Sequence, residues 1–100
     1  MSCFEVVLAP AAERDIAGAF TWYRQRSEGA AEAFRLEVFD IVDRLADMAL
    51  TRAADGDGLR KRILKRFPYT VFYEVDRAQV TVLAVAHQRR RPGYWQTDKG

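Results

Sequence analysis

The spacing of apolar residues along the chain predicts two helices and four strands. Apolar positions at steps of three and four predict a first helix over residues 10–26 and a second over 30–50. Apolar runs bounded by turn residues predict strands at 4–9, 59–67, 69–75 and 79–86. The order β-α-α-β-β-β is typical of an α+β fold, here a helical hairpin packed on a small antiparallel sheet.

The same pattern predicts which residues form the core. The two predicted helix stripes are Ala12, Ile16, Ala19 with Phe20, and Tyr23, then Phe34, Val38, Ile41, Leu45 and Met48. The strand 79–86 is apolar on both faces, so we expect it at the centre of the sheet. The strand 59–67 mixes basic and apolar residues on both faces, which predicts that one of them is largely exposed.

The chain has 100 residues, of which 49% are hydrophobic, enough for one domain over residues 1–100 with a C-terminal tail from about residue 88. Its net charge of +2 conceals an asymmetry. Residues 1–58 carry 6 basic and 11 acidic side chains, whereas residues 59–100 carry 10 basic and 3 acidic ones. This asymmetry indicates an anionic partner for the second half, either nucleic acid, an acidic protein surface or an acidic disordered peptide.

Several kinds of site and location are disfavoured by the sequence. Cys3 is the single cysteine, so neither a disulfide framework nor a cysteine-based zinc site is expected. The pair Asp55 and Asp57 lacks the carboxylate that a calcium loop carries at its twelfth position, where Arg66 stands. No segment has the pattern of a signal peptide or a membrane span. We therefore expect a cytoplasmic protein with no metal, cofactor or membrane partner.

Three groups of motifs occur in a fixed order along the chain. The first is residues 8–12 with the pair Trp22-Tyr23, the second is 58–60 with 66–69 and 72–73, and the third is 82–87 with 89–92 and 94–95. Together they resemble the RelE/ParE superfamily of toxins from type II toxin–antitoxin modules, over nearly the whole chain. The resemblance implies a toxin, with a role in plasmid or chromosome stabilisation, that is neutralised by a cognate antitoxin in a hetero-oligomer.

The resemblance leaves two targets, because RelE-like members cut messenger RNA on the ribosome and ParE-like members inhibit DNA gyrase. Metal-independent RNA cleavage requires a base, an acid and cations that stabilise the phosphorane. At two positions where RelE-like toxins carry cations, this chain has Leu64 and Thr70. The pattern 87–95 is also more ParE-like. We therefore favour a non-enzymatic gyrase inhibitor, with an endoribonuclease or a degenerate, non-toxic member as the alternatives.

Candidate site residues follow for each interpretation. A ribonuclease would use Arg62, His87, Arg89 and Tyr94, although a structural role for His87 at the strand end is the favoured interpretation. Target or nucleic-acid binding is expected from Arg60, Arg62, Lys65, Arg89, Arg90, Arg91, Tyr94 and Trp95. Antitoxin binding is expected from Trp22, Tyr23, Arg60, Arg62 and Arg66. The Tyr94-Trp95 pair is interpreted either as a hot spot for a partner or as a cover on the core.

Overall fold

A computed structural model of the chain describes residues 4–49 and 58–89. Its elements are β1 (Glu5–Leu8), α1 (Pro10–Arg24), α2 (Glu28–Met48), β2 (Arg60–Ile63), β3 (Tyr69–Asp76) and β4 (Gln79–His87). The predicted α+β class and the order of elements are confirmed. Element ends lie within two residues of the predicted ones, except in β2.

The four strands form one sheet in the order β1-β4-β3-β2. The prediction that the last strand is central is therefore confirmed. β2 pairs with β3 and β3 with β4 in antiparallel fashion, as expected, but β1 runs parallel to β4. The prediction of a wholly antiparallel sheet was wrong in this respect. The intervening helical hairpin carries the chain back across the sheet, and such a crossover permits a parallel pair.

A β-bulge interrupts β4 at Leu83. Phe72 pairs with Ala84 and Tyr73 with Val82, so Leu83 is an extra residue without a partner on β3. Before the bulge, Val82 faces the core under the helices, and beyond it Val85 does so. Ala84, with Leu83 packed against it, belongs to a second apolar cluster.

Both helices begin where the sequence favours it. Pro10 occupies the first turn of α1, where its missing N–H has no intrahelical role. Ser27 is the N-cap of α2, and its Oγ accepts a hydrogen bond from the N–H of Ala30 at 3.2 Å. The predicted stripes are buried at Ala12, Ile16, Ala19, Phe34, Val38, Ile41 and Leu45.

Met48 does not belong to the core, contrary to the prediction. Its exposed fraction is 42%, whereas Ala49 is fully buried. The stripe of α2 continues from Leu45 by four residues rather than three, because an α-helix has 3.6 residues per turn and a strict heptad pattern drifts around it. Ala49 is fixed to the sheet, since its C=O accepts a buried hydrogen bond of 2.8 Å from the Tyr73 hydroxyl.

β2 is shorter than predicted because the chain turns sharply after Ile63. Leu64 enters the core and its N–H donates to the C=O of Tyr69 at 3.0 Å. The N–H of Tyr69 donates to the C=O of Phe67 at 2.8 Å, which closes the turn around Pro68. The expected exposed face of β2 is present, since Ile63 is 57% exposed.

Candidate functional site: two grooves beside an aromatic cluster

An aromatic cluster lies between the helical hairpin and the ends of β3 and β4. We define it as Tyr23, Phe34, Phe67, Tyr69 and His87. Its ring centroids lie 5.1 Å apart for Tyr23 and Phe67, 5.2 Å for Phe34 and Tyr69, and 5.1 Å for Tyr69 and His87. Edge-to-face contacts of this kind are favourable beyond the apolar area that they bury. Its members Tyr23, Tyr69 and His87 also line the second groove described below, and Phe67 directly follows Arg66, which lines the first.

The first groove, the α2–β2 groove, lies between α2 and the edge strand of the sheet and has a volume of about 370 Å³. Its apolar floor includes Leu36 and Ile63, which are 54% and 57% exposed. Its basic side chains are Arg44, Arg62, Lys65 and Arg66. Within the described part of the chain, β2 is the last strand of the sheet and pairs with β3 alone.

Glu37 fixes the basic wall of this groove. Its carboxylate accepts hydrogen bonds from the main-chain N–H of Lys65 and, at 3.3 Å, from that of Arg66. These bonds tie the turn after β2 to the middle of α2. On the opposite wall, Arg44 forms a 3.0 Å ion pair with Asp40. The side chains of Lys65 and Arg66 are therefore presented from a main chain that is held in place.

The second groove, the α1–β4 groove, lies between α1 and the end of β4 and has a volume of about 610 Å³. Helix α1 contributes Arg14, Asp15, Gly18 and Trp22, and the strands contribute Tyr69, Val85 and His87. Trp22 is 49% exposed, and the guanidinium carbon of Arg26 lies 3.7 Å from the centroid of its ring.

Titratable groups in this groove are held by specific contacts. The Asp15 Oδ2 atom accepts a hydrogen bond of 2.9 Å from the N–H of Val85. The Nδ1 atom of His87 accepts one of 3.1 Å from the N–H of Arg89. Burial raises the pKa of the Tyr23 hydroxyl above its ordinary value. The bond from Arg89 supports a structural role for His87 at the end of β4.

The residues predicted to bind partners are divided between the two grooves. Arg62 and Arg66 line the α2–β2 groove together with Lys65, and Arg60 precedes them on β2. Trp22 and Tyr23 line the α1–β4 groove, next to His87. The residues predicted for antitoxin binding therefore do not form one continuous patch within a single groove. Four further candidates lie outside the described residues: Arg90, Arg91, Tyr94 and Trp95.

Among the predicted ribonuclease residues within the described ranges, His87 and Arg89 are in contact, but Arg62 lies apart from both. Arg62 pairs with Val71, which pairs with Val85, and His87 lies two residues further along β4. From the usual spacing of strands and residues, the Cα atoms of Arg62 and His87 are about 12 Å apart. They line different grooves. Leu64 and Thr70, at the positions of the missing cations, are only 4% and 7% exposed.

The sequence did not indicate that Glu37 and Asp15 help to form the two grooves. Glu37 contacts main-chain groups 28 and 29 residues away, and Asp15 contacts one 70 residues away. A carboxylate that accepts from main-chain N–H groups needs no complementary side chain, so nothing in the sequence of its partners indicates the contact. Glu37 looks like any polar residue on the exposed side of an amphipathic helix.

Within residues 4–49 and 58–89, no three His, Cys, Asp or Glu side chains lie close enough together to hold a metal ion. Neither α1 nor α2 has the length and apolar character needed to cross a membrane.

The same fold occurs in a solved structure of a ParDE system. The chromosomal ParDE TA system from P. aeruginosa superposes with a TM-score of 0.74 and 19% sequence identity, over 85% of this chain and 96% of that chain. The family model described as the ParE toxin of the type II toxin–antitoxin system, parDE, matches residues 6–92. The chain therefore belongs to the ParE toxin family, which confirms the resemblance noted from its motifs. No match was found among curated proteins.

Proposed function

We propose that this chain is a ParE-type toxin that inhibits DNA gyrase by binding to it and is neutralised by a cognate antitoxin in a hetero-oligomer. The observation that carries the choice of target is the burial of Leu64 and Thr70. These positions, where a RelE-like toxin would carry cations, are apolar or uncharged here and face away from solvent. The toxin acts in the cytoplasm, where gyrase and its DNA are found.

RNA cleavage is disfavoured on energetic grounds. Loss of a single transition-state contact typically lowers a rate by about 10²- to 10³-fold. Two cations are replaced here, and of the described candidates Arg62 lines one groove, whereas His87, in contact with Arg89, lines the other. A binding mechanism has no such requirement for convergent groups, since affinity can be distributed over a surface.

The α2–β2 groove supports the antitoxin interaction. An open strand edge accepts an extended peptide by main-chain pairing, and the exposed Leu36 and Ile63 provide apolar contacts. The basic side chains of Arg62 and Arg66 complement an acidic segment. We assign Arg60 to the same surface and Trp22 and Tyr23 to an extension of it around α1.

The gyrase-binding surface is proposed to include the second half of the chain. Its members are Arg60, Arg62, Lys65 and Arg89, together with Arg90, Arg91, Tyr94 and Trp95 from the tail of this single domain. The overlap at Arg60 and Arg62 gives a simple mode of neutralisation, in which an antitoxin bound to β2 blocks access to gyrase.

The experiment is a supercoiling assay with purified gyrase, relaxed plasmid and ATP. The chain is expected to abolish supercoiling and to trap cleaved DNA, and the antitoxin is expected to restore activity. Lys65→Ala should weaken inhibition several-fold. Lys61→Ala is the matched control, because Lys61 pairs with Phe72 on the face of the sheet opposite the helices.

Each other outcome has a defined meaning. Unchanged supercoiling with no trapped cleavage would overturn the gyrase proposal. Cleavage of a defined message on translating ribosomes, lost on substitution of Arg62, His87, Arg89 or Tyr94, would establish the ribonuclease alternative. Normal growth after induction without antitoxin would identify a degenerate, non-toxic member.

A further inference from the structure

The central strand β4 is an edge strand over its last residues. β1 accompanies it only as far as Val82, whose C=O accepts the N–H of Ala9 at 2.9 Å. Beyond that point no described strand lies on the side of β4 away from β3. The side of β4 that faces the α1–β4 groove is therefore bounded by a helix instead of a strand.

The main-chain groups on this side are identified by the pairing with β3. Gln88 donates its N–H to the C=O of Pro68 at 2.8 Å, and bonded pairs alternate along an antiparallel ladder. The main-chain groups of Val85 and His87 therefore point away from β3 and towards the groove. The N–H of Val85 confirms this direction, because it donates to Asp15.

Asp15 occupies the position of a missing strand. Its carboxylate supplies the acceptor that the C=O of a neighbouring strand would otherwise provide for Val85. A charged side chain at an open edge also discourages unwanted pairing between molecules. The edge is therefore protected in the free chain by a side chain, which a competing strand can displace from the N–H of Val85 without breaking a strand–strand pair.

We propose that the α1–β4 groove is a second docking site, in which an extended segment of the antitoxin adds to the edge of β4 at Val85 and His87 and displaces Asp15. This inference rests on the proposed toxin–antitoxin function and adds a site distinct from the α2–β2 groove. The antitoxin then holds both sides of the aromatic cluster, and two linked contacts bind far more tightly than either alone.

The lining of the groove defines the chemistry of this segment. Arg14 lies in the wall, Arg26 stacks on Trp22, and Arg89 follows His87, whereas Asp15 is the one acidic residue among the described residues of the lining. Successive side chains of a strand point in opposite directions. The segment should therefore alternate apolar residues, which contact the ring of Trp22, with Asp or Glu residues, which face the arginines.

The chain's own residues 90–95 fit this edge poorly. Arg90 and Arg91 repeat the charge of the arginines around the groove, and Pro92 has no N–H to donate to an edge. A two-residue hairpin after β4 would require positive φ angles. Arg77 is the sole non-glycine residue with positive φ in the described part of the chain, so Gln88 and Arg89 do not form such a turn.

The test fills the groove from the side of α1. A Cβ atom at Gly18 would meet nothing within 4 Å, so Gly18→Leu projects into the groove without displacing packed atoms. Gly29→Leu is the matched control, since the Cβ there meets only Ser27 Oγ at an ordinary 3.7 Å. Both changes raise helix propensity and should leave the fold intact. The probe is the purified antitoxin encoded beside this chain, with affinity measured by calorimetry.

Gly18→Leu is expected to weaken antitoxin binding at least 10-fold, with Gly29→Leu within twofold of the unmodified chain. Amide exchange at His87 should also slow in the complex of the unmodified chain. Full affinity of Gly18→Leu would overturn the second site, and the proposed function would stand if Arg62→Ala still weakened binding. Absence of any binding by the unmodified chain would overturn both.

Gly18→Leu also tests two other occupants of the groove, the chain's own C-terminal tail and a second copy of the chain. In Trp22→Phe, fluorescence reports Trp95 alone. A change of that emission on adding Gly18→Leu, without antitoxin, would mean that the tail fills the groove and would overturn the proposal. A change of oligomeric state in sedimentation on Gly18→Leu would identify a second copy of the chain as the occupant, with the same consequence.

Discussion

Removal of one hydroxyl, in Tyr73→Phe, should destabilise the domain measurably. The Tyr73 hydroxyl donates a 2.8 Å hydrogen bond to the C=O of Ala49, and both residues are fully buried. The substitution leaves this C=O without its donor, and the space of one oxygen atom is too small to admit a water molecule readily. A buried acceptor left without a partner costs about 1 to 3 kcal/mol.

For a domain of this size, each kcal/mol lowers the melting temperature by about 4–8 °C. Urea unfolding followed by circular dichroism measures the change, and the slope of the transition should stay constant. Tyr23→Phe is the control, because no hydrogen bond from the Tyr23 hydroxyl is seen among the described residues, and it should change the free energy of unfolding by less than about 0.5 kcal/mol. A Tyr73→Phe variant with an unchanged midpoint would refute the reasoning.

Three further predictions concern the helical hairpin. Ser27→Ala should cost about 1 kcal/mol in thermal unfolding, because the first turn of α2 loses its side-chain acceptor, and Ser27→Asp should retain most of the stability. Glu37→Ala should accelerate amide exchange at Lys65 at least several-fold, and unchanged exchange would mean that Glu37 does not hold this turn in solution. The pKa of Tyr23 is raised from 10.0, so the unfolded chain loses this proton first and stability should fall as the pH rises past about 10. Alkaline urea titrations should show a smaller fall in Tyr23→Phe, and equal falls would contradict the assignment.

The parts of the fold that follow from local patterning were predictable from the sequence. The stripes from Ala12 to Ala19 and from Phe34 to Leu45 are buried as expected, because helical periodicity directly indicates the buried side. The central position of β4 was predictable for a similar reason. A strand that is apolar on both faces is most stable where other elements cover both of its faces, because neither face is then exposed to water.

The features that depend on long-range geometry were not predictable. Nothing in β1 indicates that it runs parallel to β4, since that direction is set by the path of the helical hairpin between them. The division of Trp22 and Arg62 between two grooves likewise depends on where α1 and α2 pack on the sheet, since α1 borders one groove and α2 the other. Composition identified the basic second half of the chain, but charge alone does not specify which side chains share a surface.

The bulge at Leu83 decides which side chains of β4 reach the α1–β4 groove. Because strand side chains alternate with a period of two, the extra residue changes the helix-facing positions from even-numbered ones such as Val82 to odd-numbered ones such as Val85. A regular ladder that kept Leu83 as a paired residue would turn every following side chain to the opposite face. His87 would then leave its contact with Tyr69, and Ala86 would take a place beside α1 that is too large for it. Deletion of Leu83 would instead join Val82 to Ala84, which already pair with Tyr73 and Phe72, so it would remove the bulge and keep His87 on its present face. The face on which β4 ends is thus set by the exclusion of one residue from the ladder.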